Sequence, residues 1–72
     1  MITKDFFKER LRQLRKERGE TQVQVIEATG IGERHYQNFE AGDFFPNVEN
    51  LCRLADHFEV SVDYLLGRKD ER

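Results

Sequence analysis

The apolar positions of this chain recur at helical spacing and are broken at short intervals by glycine. Phe7, Leu11 and Leu14 fall at i, i+4 and i+7, the repeat of an amphipathic helix with one face toward a core. The pattern predicts a first helix from about Lys4 to Arg18, closed at Gly19. Lys16 and Arg18 lie in its last turn, where the helix dipole favours cations. Thr21-Gln22-Val23-Gln24 reads as a capping box, with the Thr21 hydroxyl on the Gln24 N–H and the Gln24 side chain reaching back. A second helix of about two turns therefore starts at Thr21 and stops before Gly30. Val25 and Thr29 mark its inner side, and Ile31 follows as a buried link. The third helix runs from Glu33 to Ala41 and ends at Gly42. At about 100° per residue, Tyr36, Phe39 and Glu40 share one face, while Arg34, Asn38 and Ala41 point the opposite way. Glu33, His35 and Gln37 are its flanks. After Pro46, Asn47 caps a fourth helix, whose stripe is Val48, Leu51, Leu54, Ala55 and Phe58. Ser61 caps a short fifth helix through Leu66, ended by Gly67. The charged tail 68–72, RKDER, is expected to fray. No period-two alternation competes, so the expected fold class is all-α, a compact bundle of five short helices.

Length and charge narrow the functional classes. The 72 residues allow one domain, expected over 1–67 with the tail beyond it. Net charge is -2, which alone argues against nucleic acid, because Lys and Arg supply most non-specific affinity for phosphates. The distribution alters that. Residues 1–18 carry seven Lys/Arg and three Asp/Glu, and residues 19–72 carry five and eleven, so a basic first helix sits on an acidic remainder. The lone Cys52 precludes an intrachain disulfide and suits a reducing cytosol and a packing role. The N-terminus lacks the apolar stretch of a signal peptide, and no segment is long and apolar enough to span a membrane. A cytoplasmic protein is the expectation.

Catalysis finds little support. Cys52 and His57 lie five apart on one predicted helix, too few ligands for a zinc site. No phosphate-binding glycine motif occurs. No enzyme activity, metal or cofactor is expected. What remains is two short helices joined through Gly30, the second showing polar residues away from its core side, which is the helix-turn-helix pattern. Gly30 supplies the positive φ such a turn needs.

Several motifs then fall in a familiar order. Leu11-Arg12-x-Leu14-Arg15, Gly19-x-Thr21-Gln22, Gly30, Phe39-Glu40-x-Gly42, Pro46-x-x-x-Asn50-Leu51 and Leu54-Ala55 resemble the Cro/phage-repressor (XRE-type) helix-turn-helix domain. Val60-Ser61-Val62-Asp63-Tyr64-Leu65-Leu66-Gly67 is typical of its bacterial members. The resemblance covers residues 6–67 and implies the five-helix, lambda-repressor-like fold. It implies a bacterial or phage-encoded regulator that binds double-stranded DNA as a homodimer on a near-palindromic operator. It also implies roles by position. Gln22, with Thr21 beside it, matches a phosphate contact. Gly32, Glu33, Arg34, Gln37 and Asn38 match positions that approach base edges. Arg15 and Glu40 match an inward-facing ion pair between the first and third helices.

The chemistry of some of these residues points the same way. Arg34 could hold guanine O6 and N7, Asn38 could hold adenine N6 and N7, and Glu33 could accept from cytosine N4. The competing roles are a solvated Arg34 paired with Glu33, and a Glu33 that only steadies the helix N-terminus.

The sequence also departs from the family pattern. Ile26 stands where alanine is usual, Tyr36 replaces Val or Ile, and Thr29 replaces leucine, so the second and third helices are expected to cross at an altered angle or spacing. Gly32 replaces a Ser or Thr cap. Asp43-Phe44-Phe45 stands where Lys or Arg is frequent, and Asp43 would repel a phosphate. Phe44 and Phe45 either both pack into the corner after the third helix, or one stays outside for a dimer or protein-partner contact. Tyr64 with Leu65 or Leu66 is a candidate self-contact, because so short a helix is not expected to turn both leucines inward. The leading reading is a DNA-binding repressor using residues 33–41. The rival is a protein-interaction module of the same fold, antitoxin- or anti-repressor-like. A third is an N-terminal domain lacking its sensing or oligomerisation part.

Overall fold

A computed structural model describes residues 3–72, so the first two residues of the expected domain lie outside the described residues. The described residues form five helices: α1 (Lys4–Glu17), α2 (Gln22–Thr29), α3 (Glu33–Ala41), α4 (Val48–Phe58) and α5 (Val62–Leu65). No strand occurs among the described residues.

A side-chain cap starts each helix but α3. The Thr3 hydroxyl accepts from the Phe6 N–H at 3.0 Å and caps α1. Thr21 and Gln24 form the reciprocal capping box of α2 at 3.1 and 2.8 Å. Asn47 Oδ1 accepts from the Asn50 N–H at 2.8 Å, and Ser61 Oγ from the Tyr64 N–H at 3.0 Å. Each replaces a hydrogen bond that a helix start cannot make within itself. Gly32 begins α3 with no side-chain cap. The end of α4 is less expected: Glu59 takes the left-handed conformation, with φ 57°, that glycine usually fills.

The inward faces meet in one core. Phe7, Leu11, Leu14, Val25, Ile31, Tyr36, Phe39, Leu54, Ala55, Phe58, Val60, Tyr64 and Leu65 are buried together. Fully burying one such large side chain contributes about 1.5–3 kcal/mol. α1 packs on α3 and α5, α2 on α3 and α4, and α4 on α5, so α3 lies between α1 and α2.

Several expectations are corrected. Val48 is 77% exposed, and Cys52 is exposed instead of packed. They sit one turn apart, to one side of the face that buries Leu54, Ala55 and Phe58. Tyr64 and Leu65 are buried within the chain, and Leu66 packs partly against the core, so α5 turns both leucines inward. Tyr64 is roofed by Arg10, whose guanidinium lies 3.8 Å from the ring centroid and donates to the Tyr64 carbonyl at 3.0 Å. These two are therefore withdrawn as self-contact residues. The tail does not fray away. The Ser61 N–H donates to the Arg72 carbonyl at 2.8 Å, and the Arg72 side chain donates to Glu17 at 2.9 Å.

Candidate functional site

The α2–α3 connection is built from two residues with opposite tasks. Gly30 adopts φ 74°, a left-handed conformation that would strain any residue with a Cβ, and its N–H closes α2 on the Ile26 carbonyl at 2.9 Å. Ile31, next in the chain, is 3% exposed and pins the turn to the core. α3 leaves this turn with its direction set and is anchored by Tyr36 and Phe39.

That anchoring turns the other face outward. Gly32, Glu33, Arg34 and Gln37 are exposed, and Asn38 is half-buried. Among the described residues Arg34 forms no ion pair, with Glu33 or any other acid. Its guanidinium donors are free for a ligand. Asp43, just past the helix, is also exposed.

Behind α3 lies a buried polar cluster. Arg15 Nε donates to Glu40 Oε2 at 2.7 Å and Arg15 Nη2 donates to Glu40 Oε1 at 3.0 Å, a two-pronged pair from α1 to α3. Gln22 Nε2 also donates to Glu40 Oε1, at 3.1 Å. Burial by itself would raise the Glu40 pKa, but its donors, Arg15 foremost, outweigh that and hold the carboxyl below its ordinary value. Gln22, the first residue of α2, is thereby tied to α3 while it remains half-buried at the helix N-terminus. Its amide nitrogen has a second N–H, which Glu40 Oε1 does not use. Thr21 faces solvent, with its hydroxyl engaged as the cap.

A model of a helix-turn-helix domain matches residues 8–71. The chain belongs to this helix-turn-helix family. It is 43% identical over 61 residues to the transcriptional repressor RstR of the cryptic phage CTXphi from Vibrio cholerae, covering 85% of this chain and 54% of that protein. It is 39% identical over 62 residues to the transcriptional regulator ImmR of Bacillus subtilis, covering 86% of this chain and 48% of that protein. The chain thus spans about half the length of the curated relatives it matches. A transcriptional regulator from Listeria innocua shares the fold, with a TM-score of 0.77 and 35% identity, covering 92% of this chain and 62% of that one.

The helix-turn-helix domain accommodates the unusual residues inside. Ile26 packs partly against the core, and Tyr36 is fully buried. Thr29 turns its hydroxyl to the Val25 carbonyl at 2.7 Å, which satisfies a polar group where a leucine would need none. Neither Phe44 nor Phe45 is buried in the corner: they are 59% and 41% exposed. Phe45 still touches the core edge, its ring centroid 5.9 Å from that of Phe7. With Arg34, Asn38, Asn47 and Asn50 they line a cleft of about 390 Å³ beside α3.

One polar contact was not foreseen. His57 Nε2 lies 3.0 Å from both Glu20 oxygens, joining the α1–α2 turn to α4, and Arg18 Nε donates to Glu20 Oε1 at 3.1 Å. Residues 37 apart form it, and no local pattern announces such a pair. Among the described residues, no helix is long and apolar enough to cross a membrane.

Proposed function

We propose that this chain is a sequence-specific, double-stranded DNA-binding transcriptional regulator, a repressor, that reads the major groove with α3. The observation that carries this reading is the outer face of α3, where Arg34 stands exposed and unpaired beside Asn38 and Gln37 on a helix fixed from behind. Arg34 pairs with guanine and Asn38 with adenine, each for about 1–3 kcal/mol of discrimination. Gln37 and Glu33 supply further base-edge contacts, and Gly32 allows close approach at the start of the helix. Gln22, beside Thr21, donates to a phosphate at the N-terminus of α2, where the helix dipole also attracts an anion. The names of the relatives RstR and ImmR agree with a regulatory role.

The operator is near-palindromic and bound by a homodimer, which sets the two α3 helices about 34 Å apart, one turn of DNA. With Tyr64 and Leu65 inside the chain, the self-contact uses Leu66 or other surface. The exposure of Phe44 and Phe45 supports a second reading, contact with a protein partner. Selection on random duplexes, repeated at several salt concentrations, tests both. A palindrome should be enriched, and affinity should fall steeply with salt. No enrichment, together with a stable complex that depends on Phe44 and Phe45, would overturn the DNA reading in favour of the second.

A further inference from the structure

The corner after α3 holds two phenylalanines in different settings. Phe45 leans on the core edge, its ring centroid 5.9 Å from that of Phe7. Phe44 is 59% exposed and, among the described residues, stacks on no other aromatic ring. The backbone that carries it is nonetheless held at both ends. Gly42 closes α3 in the left-handed conformation, and the Asp43 N–H donates to the Asn38 carbonyl at 3.0 Å. On the far side, Asn47 caps α4. Phe44 therefore follows directly on a residue tied to Asn38.

The same cleft of about 390 Å³ that Phe44 lines is lined by Arg34, Asn38, Asn47 and Asn50. An aromatic ring thus stands among a guanidinium and three amides. A purely apolar partner would leave those polar groups without hydrogen bonds, which is costly. The major-groove edge of an A·T pair offers the matching mixture: acceptors, an amino donor and the thymine C5-methyl, the one methyl group that groove presents. Asp43 is exposed at the same corner, and its charge opposes seating the corner on a phosphate.

We propose that Phe44 is a specificity-determining residue whose ring covers the C5-methyl of a thymine near the base read by Asn38. The inference rests on the DNA-binding reading above. It adds an apolar contact to the hydrogen bonds of Arg34 and Asn38, and it assigns to α3 and its C-terminal corner a joint preference for A·T pairs.

Deoxyuridine tests it, because it removes the methyl and keeps every hydrogen-bonding atom of thymine. Each thymine of the selected duplex is replaced in turn. At one position per half-site, wild-type affinity should fall about fourfold, the worth of one buried methyl-sized group. Phe44→Ala should melt with the wild type, since its ring is already mostly in solvent, and should bind the thymine and deoxyuridine duplexes equally at that position. Wild-type affinity that ignores every deoxyuridine would overturn the proposal. So would a Phe44→Ala variant that keeps the full fourfold difference, whether it is weakened evenly on all duplexes, as for a sugar contact, or loses only a protein complex. If the wild type enriches no duplex at all, the DNA reading itself fails, an outcome distinct from an enriched duplex whose methyl groups do not matter.

Discussion

Arg15–Glu40 and Glu20–His57 both join distant parts of the chain through a carboxylate, but at different depths. The Glu40 side chain is 3% exposed and meets Arg15 in two hydrogen bonds. The Glu20 and His57 side chains are 19% and 13% exposed, and Arg18 reaches Glu20 from the solvent side. Depth decides what the loss of a partner costs. Water can replace a donor at Glu20, whereas at Glu40 an orphaned charge stays in a medium that solvates it poorly. The deep pair holds α3, with its outward-facing Arg34 and Asn38, against α1. The shallow one holds a turn against α4.

Substitutions should rank by that depth. Glu40→Ala leaves Arg15 without its partner and should cost about 3–5 kcal/mol. Total stability for a domain is about 5–15 kcal/mol, so thermal denaturation should show a Tm lower by well over ~10 °C. An unchanged melting curve would mean that the pair contributes nothing to folding. Acid should act on the same group. The folded Glu40 pKa lies below its unfolded value, near 4.5. Its stabilisation is therefore present above that value and lost as pH falls through the folded pKa. Urea titrations below about pH 4.5 should show the wild type losing stability more steeply than Glu40→Gln, which has no proton to take up there. Parallel acid limbs would count against the deep pair as the source. His57→Ala should cost less, about 1 kcal/mol, since Glu20 keeps Arg18 and reaches water. A cost matching that of Glu40→Ala would erase the distinction between the two sites. Smallest is Arg18→Ala. Its side chain is 41% exposed, and such a pair contributes about 0–1 kcal/mol. Urea midpoints within ~0.5 kcal/mol of wild type are expected, shrinking further in high salt.

What could be read from the sequence followed from how far apart the interacting residues lie. Thr21, Asn47 and Ser61 were legible as caps because each bonds a backbone N–H three residues away. Gly30 was legible because a turn of this shape needs its conformation. The outward placing of Arg34 and Asn38 followed from helical period alone, and Arg15–Glu40 only from the family resemblance. Periodicity gives the side of a helix a residue occupies, not whether another helix arrives there. Val48 and Cys52 therefore misled, and Tyr64 did too, because Arg10 covers it from 54 positions away. Glu59 offered no cue, since nothing in its chemistry marks a left-handed residue. Nothing in the sequence marked Gln22 as a third partner of the buried pair, a relation that spans 18 residues.

The Arg72 clasp has a practical meaning for anyone extending this chain. Its carbonyl is held by the Ser61 N–H, and its guanidinium sits on Glu17 and 5.3 Å from the Tyr64 ring centroid. A fluorophore or fused domain attached after Arg72 would start from a fixed point beside α1 and α5, so its linker length would be counted from the bundle itself and not from a loose tail.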